Sequence, residues 1–165
     1  MNKKSFIALS LIFTHCVNVN AATRLEVDFD HTPLGHYQSK TVEKDWPNLQ
    51  WQSLLGRAQI VSSTDNEHKK VLKVDFPKGA VGPQEGGGQF LMSLPATEEL
   101  WLSYHVKFAH NFDFRLGGKL PGLSSGGSKY TGGHIPTKGE GWSARYMWRQ
   151  NGEGIIYLYY MDMPW

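Results

Sequence analysis

The chain has 165 residues, with 17 Lys+Arg against 15 Asp+Glu and a single cysteine. One cysteine excludes an internal disulfide framework and a multi-thiolate metal site, and the near balance of charge argues against a domain held to nucleic acid by its overall field. Eighteen glycines, 13% aromatic residues and no long stretch of apolar residues at helical spacing exclude a helical bundle and point to strands and turns.

The chain opens on a targeting pattern. Lys3 and Lys4 precede an apolar run over Phe6–Phe13, and Val19-Asn20-Ala21 places small residues at −3 and −1 of a cut before Ala22. That layout predicts a cleaved secretory signal over residues 1–21, too short to span a membrane, and hence a secreted or periplasmic protein. Cys16 leaves with it, and of the 17 basic residues Lys3 and Lys4 leave too, so 15 face 15 acidic ones. The mature chain is then neutral, and any attraction for a polyanion must come from local clustering. Residues 22–165 suffice for one domain.

Period-two alternation predicts strands over Arg24–Asp30, Arg57–Ser63, Lys70–Phe76, Gln89–Leu94 and Leu100–Phe108. The last alternates most regularly: Leu102, Tyr104, Val106 and Phe108 face one way, Trp101, Ser103, His105 and Lys107 the other. Thr32–Trp51, with Pro33, Gly35 and Pro47, reads as a long connection. Gly117–Gly141 holds nine glycines in 25 residues together with Pro121 and Pro136, and reads as a long loop; its Lys119, Lys129, Tyr130, His134 and Lys138 favour a functional loop over a linker. Trp142–Arg149 and Ile155–Met161 then flank Gln150–Gly154, whose Asn-Gly pair is a hairpin signal. The fold class expected is all-β, an antiparallel β-sandwich of the jelly-roll kind. The chain ends four residues after this hairpin, before any strand that would cover its apolar face, so the domain is expected to be incomplete at its C-terminus.

Charge is not spread evenly. From Phe112 to Gln150 stand Arg115, Lys119, Lys129, Lys138, Arg145 and Arg149, against only Asp113 and Glu140. They lie among Tyr130, Trp142, Tyr146, Trp148, Tyr157, Tyr159 and Tyr160. Guanidinium forks grip carboxylates and aromatic faces stack on sugar rings, which suits a uronic-acid polymer. Single-stranded nucleic acid wants the same ingredients, but export and neutrality weigh against it. A solvated basic face with core aromatics is the plain alternative.

Gly117-Gly118-Lys119-Leu120-Pro121-Gly122-Leu123 followed by Gly126-Gly127, the block Ser143–Arg149, and Tyr157-Leu158-Tyr159 together resemble polysaccharide lyase family 14, which includes the alginate lyases. The resemblance is strongest over Phe108–Met161. It implies a substrate groove lined by Lys119, Ser143, Arg145, Tyr157 and Tyr159, with no cofactor and no metal, acting on an acidic polysaccharide as a monomer. β-Elimination of a uronate needs its C6 carboxylate neutralised, its C5 proton removed and its departing glycosidic oxygen protonated. Arg145 suits the first task because it stays charged and offers a planar fork. Lys119 neutralises charge too, or serves as base if its pKa falls from an ordinary value of about 10.4. Tyr157 or Tyr159 delivers or accepts the second proton, and Ser143 holds a sugar hydroxyl or water. Which group is base and which acid stays open, and a non-catalytic module binding acidic polysaccharide through the same groove is the alternative.

Turn parity tests that groove. A two-residue Asn151-Gly152 turn would send Arg145 and the two tyrosines to opposite faces. An odd loop, either Asn151–Glu153 or Gln150–Gly154, places Arg145 opposite Tyr159, with Ser143, Arg145, Met147, Arg149, Tyr157 and Tyr159 on one face; Trp142, Ala144, Tyr146, Trp148, Ile156, Leu158 and Tyr160 take the other. The odd loop is expected, because only it segregates polar from apolar residues. Elsewhere the seven histidines lack ligand spacing, no nucleophile elbow or phosphate loop occurs, and Asp113 and Glu140 are a weak basis for hydrolysis.

Overall fold

The computed structural model describes residues 24–64 and 69–163, so the predicted signal segment lies outside the described residues. Among the described residues the regular structure is mostly strands in antiparallel sheets with two short α-helices, the all-β sandwich class expected. In one sheet β1 (Gly35–His36) pairs with β3 (Ala58–Ser62), which pairs with β4 (Lys70–Val74). A two-stranded sheet joins β2 (Leu49–Gln52) to β5 (Phe90–Met92), and a third sheet has the order β6 (Gly118–Ser125), β7 (Trp142–Trp148), β8 (Gly154–Tyr159). Among the described residues no helix is long and apolar enough to cross a membrane.

Two apolar clusters hold these sheets. The first buries Tyr37, Val42, Leu54, Ala58 and Ile60, with Phe29, Trp46, Leu72, Val74 and Phe90 packed around them. The polar end of Tyr37 needs a partner once buried, and Asp45 supplies it: its Oδ2 accepts from the Tyr37 hydroxyl at 2.8 Å and from the Thr32 hydroxyl at 2.6 Å. Burial and this carboxylate push the Tyr37 phenol far up. The second cluster is aromatic: Trp148 meets Phe76, Phe108 and Phe112, each with ring centroids 5.5 Å apart. Phe76 lies two residues beyond β4, so its contact with Trp148 fastens the third sheet to the first.

Four segments differ from the sequence expectation. Arg24–Asp30 and Leu100–Phe108 form no ladder. The second lies close to the third sheet: Tyr104 donates its hydroxyl to the Pro121 carbonyl at 3.1 Å and stacks edge-on against Tyr146. Alternation there is used for side-chain packing instead of strand pairing. The long connection over Thr32–Trp51 contains β1, the start of β2 and a helix, α1 (Ser39–Asp45), that turns its single buried residue, Val42, to the core. Thr41 closes its first turn, donating its hydroxyl to the Gln38 carbonyl at 2.7 Å and accepting from the Gln38 N–H. The fourth segment, Gly117–Gly141, is strand β6 and not loop over its first third; α2 (Gly82–Glu85) is a single turn between β4 and β5.

Replacing Trp148 with alanine is expected to lower unfolding free energy by about 3–5 kcal/mol, because the buried ring packs on Phe76, Phe108 and Phe112 and fastens the third sheet. Trp101, 85% exposed, is the control: Trp101→Ala should stay within about 0.5 kcal/mol in the same urea titration.

Candidate active site

The third sheet carries the site, and the β7–β8 turn sets it. Trp148 pairs with Gly154 across the five residues Arg149–Glu153. Within that turn the Arg149 N–H donates to the Glu153 carbonyl at 2.7 Å and the Gly152 N–H to the Arg149 carbonyl at 3.2 Å, while Asn151 takes a φ of 65°. Left-handed backbone favours asparagine and glycine, which is what Asn151-Gly152 provides. The turn is odd, as expected. The register is shifted by two residues from the pairing expected: Arg145 sits opposite Tyr157, and Ser143 opposite Tyr159. A shift of two preserves the faces.

All five residues singled out therefore share one face. β6 adds Lys119 opposite Met147, and after a bulge places Gly122 opposite Arg145. That glycine is required: a Cβ there would strike the Ala144 carbonyl and the Arg145 backbone and side chain. The strand so permits Arg145 to lie flat over its neighbour. Trp148 packs on the bare backbone of Gly118 in the same way, on the opposite face.

Tyr157 lies at the centre. The Lys119 ammonium is 5.4 Å and the Arg145 guanidinium 5.7 Å from its ring centroid, both within cation–π range. The Arg145 Nε and Nη2 atoms are buried and have no hydrogen-bond partner. Donors left unmade this way are costly, and an anionic oxygen is the acceptor that would satisfy them best.

The Tyr157 and Tyr159 hydroxyls are 2.6 Å apart, and the Gly133 N–H donates to the Tyr159 oxygen at 2.8 Å. An oxygen already receiving an N–H is the better place for negative charge, so Tyr157 is the donor within the pair. The hydrogen bond from Tyr157 draws the Tyr159 phenol below its ordinary value against the effect of burial, aided by Gly133 and the charges of Lys119 and Arg145. Giving up that hydrogen bond, together with burial, pushes the Tyr157 phenol up. One proton is thus lost readily by the pair and the second with difficulty, as in any strongly coupled pair.

The residues differ in access. Lys119 is exposed and Tyr157 partly so, whereas Tyr159 is 5% and Ser143 1% exposed. Ser143 donates its hydroxyl to the Tyr130 carbonyl at 2.7 Å, so its hydrogen goes to a loop and not to an open groove. Gly133 carries no sequence signal, since any residue except proline offers an N–H; only its glycine neighbours marked the segment as irregular. Gly133 also lines a cleft of about 440 Å³ with Ile135, Pro136, Thr137, Asp162 and Met163. Among the described residues no three His, Cys, Asp or Glu side chains gather as metal ligands would.

The charges on this face set the direction of one titration. Lys119 favours the Tyr159 phenolate, so Lys119→Met should move the lowest tyrosinate midpoint upward, toward ordinary tyrosine. Ultraviolet titration of the folded protein checks it; an unchanged or lowered midpoint would contradict the arrangement.

A family model described as polysaccharide lyase 14 matches residues 64–164, more than half of the 165-residue chain. No curated protein and no solved structure matches. The match spans all of β5 to β8 and every residue of the tyrosine–cation face, and the chain belongs to the polysaccharide lyase 14 family.

Proposed function

We propose that this protein cleaves a uronate-containing polysaccharide, such as alginate, by β-elimination on the Lys119–Arg145–Tyr157–Tyr159 face. The observation that carries the reading is the 2.6 Å phenol pair lying beneath two cations, one of which has buried N–H groups with no acceptor. Arg145 and Lys119 take the C6 carboxylate, which gathers negative charge as the C5–H bond breaks. Since Tyr157 is the accessible phenol and Tyr159 the buried one, the C5 proton passes to the Tyr157 oxygen as the proton of Tyr157 moves to the Tyr159 phenolate. The electron pair of the C5–H bond forms the C4–C5 double bond, the C4–O bond breaks, and the pair returns a proton to the departing oxygen. Ser143 supports the loop behind Tyr159. The cleft beside Gly133 offers room for a neighbouring sugar.

The starting state has one proton missing from the pair, so the rate should rise with pH through the lowered Tyr159 titration. Action outside the cytoplasm is part of the proposal, supported by the targeting pattern of the first 21 residues.

Incubation with alginate or polyglucuronate should yield ultraviolet-absorbing unsaturated uronate ends. Tyr159→Phe and Tyr157→Phe should each lower kcat by roughly 10²–10⁴-fold, and Arg145→Ala should raise KM and lower kcat together. Saturable binding of the polymer with no unsaturated product, across the titration range of the pair, would replace catalysis with a binding module on the same groove.

A further inference from the structure

The loop between β6 and β7 is fastened by one aromatic residue that the elimination chemistry does not use. Tyr130 is 4% exposed. Its ring lies against two bare backbones, because a Cβ on either Gly126 or Gly141 would overlap its Cε2 and Cδ2 edge. These glycines are the two ends of the loop, so the ring closes it like a rivet. The Tyr130 hydroxyl donates to Glu140 Oε2 at 2.9 Å, its carbonyl accepts from Ser143 at 2.7 Å, and the Lys129 ammonium lies 5.1 Å from its ring centroid and 3.7 Å from the same Glu140 oxygen. Three residues on, a turn runs through Gly132 and Gly133 (φ 66° and 98°), with the His134 N–H directed to the Thr131 carbonyl at 3.4 Å. Its tip presents the Gly133 N–H to Tyr159.

We infer that Tyr130 is a positioning residue for the acid–base pair: pinned by Gly126, Gly141, Glu140 and Ser143, it holds the Gly133 N–H on the Tyr159 oxygen. The inference deepens the lyase reading and rests on it for its catalytic consequence. A backbone donor at 2.8 Å helps only while the loop is held in place, since a loop released to water exchanges that donor for solvent. The titratable and charged groups around Tyr159 are Tyr157 on its own strand, Lys119 on β6 and Arg145 on β7; Ser143 lies opposite it with its hydroxyl turned to the Tyr130 carbonyl, and the loop brings the Gly133 N–H with exposed His134 beside it. Of the contacts to Tyr159, only that of Gly133 depends on the Tyr130 anchor. Loosening the anchor therefore removes one stabiliser of the phenolate and leaves the cations where they are.

The test uses the full chain and two readouts. Tyr130→Leu, which removes ring and hydroxyl, should raise the lowest tyrosinate midpoint by about one pH unit. Below that midpoint its kcat on polyuronate should fall by about tenfold at nearly constant KM and recover as pH rises. Tyr130→Phe keeps the ring on its glycines and should restore most of the loss. Glu140→Gln, which leaves every tyrosine in place, should move the midpoint in the same direction by less. The inference is overturned if folded Tyr130→Leu titrates like wild type or, should that variant not fold, if Glu140→Gln does. The titration needs no substrate: absence of unsaturated product from wild type would overturn the lyase reading while the midpoint shifts still stood.

Discussion

The hydrogen bond from the Arg149 N–H to the Glu153 carbonyl, at 2.7 Å, closes the β7–β8 turn around Gln150–Gly152. Side chains alternate along a strand, so an odd turn is the constraint that brings Ser143, Arg145 and Met147 to the same side as Tyr157 and Tyr159. One residue more or fewer would separate the cations from the phenols by the thickness of the sheet. Asn151 makes the turn possible by adopting left-handed backbone at φ 65°. The chemistry proposed for the face thus depends on a short polar turn that contributes no side chain to it.

Given that register, the two faces of the sheet divide the work. Trp148 goes to the aromatic cluster with Phe76, Phe108 and Phe112 and ties the sheet to the rest of the molecule. The other face gathers Lys119 and Arg145 over one phenol ring, with the Arg145 Nε and Nη2 lacking acceptors. Two like charges over one ring and orphaned donors do not stabilise a fold. Such local conflicts concentrate at functional sites, and the proposed carboxylate of the substrate would relieve both. Behind them, the Gly133 donor and the hydroxyl of Tyr157 converge on Tyr159, and the loop that supplies Gly133 is riveted by Tyr130. Cations, phenols and loop therefore form one layered site, with Lys119 exposed at the surface and Tyr159 and Ser143 buried behind it.

Much of this was legible in the sequence where a single strong rule applied. Alternation located β3, β4 and β5, and the segregation of polar from apolar residues in the last hairpin gave the right parity. It did not give the register, because a shift of two residues keeps every side chain on its face and changes only which residues sit opposite one another. β6 read as loop because glycine and proline are poor strand residues on their own. Its glycines are tolerated, and at Gly118 and Gly122 needed, because Trp148 and Arg145 fill the space above them. Leu100–Phe108 failed in the reverse sense: its pattern suits a strand, but pairing needs a neighbour, and Tyr104 packs on Tyr146 without one. The five candidate side chains, singled out through the family resemblance and the concentration of charge, share one face of the third sheet. Gly133, which offers its backbone N–H, left no comparable mark, and Tyr130 stood out only as one aromatic residue of a basic loop.

The division of labour between the two phenols is the centre of this picture, and carbon-13 NMR of ring-labelled tyrosine across a pH titration reports on each one separately. Tyr159 should ionise first, below the range of ordinary tyrosine, with the Tyr157 resonance responding to that step and ionising itself only at distinctly higher pH. Independent ionisation of both at ordinary values, or ionisation of Tyr157 first, would contradict it.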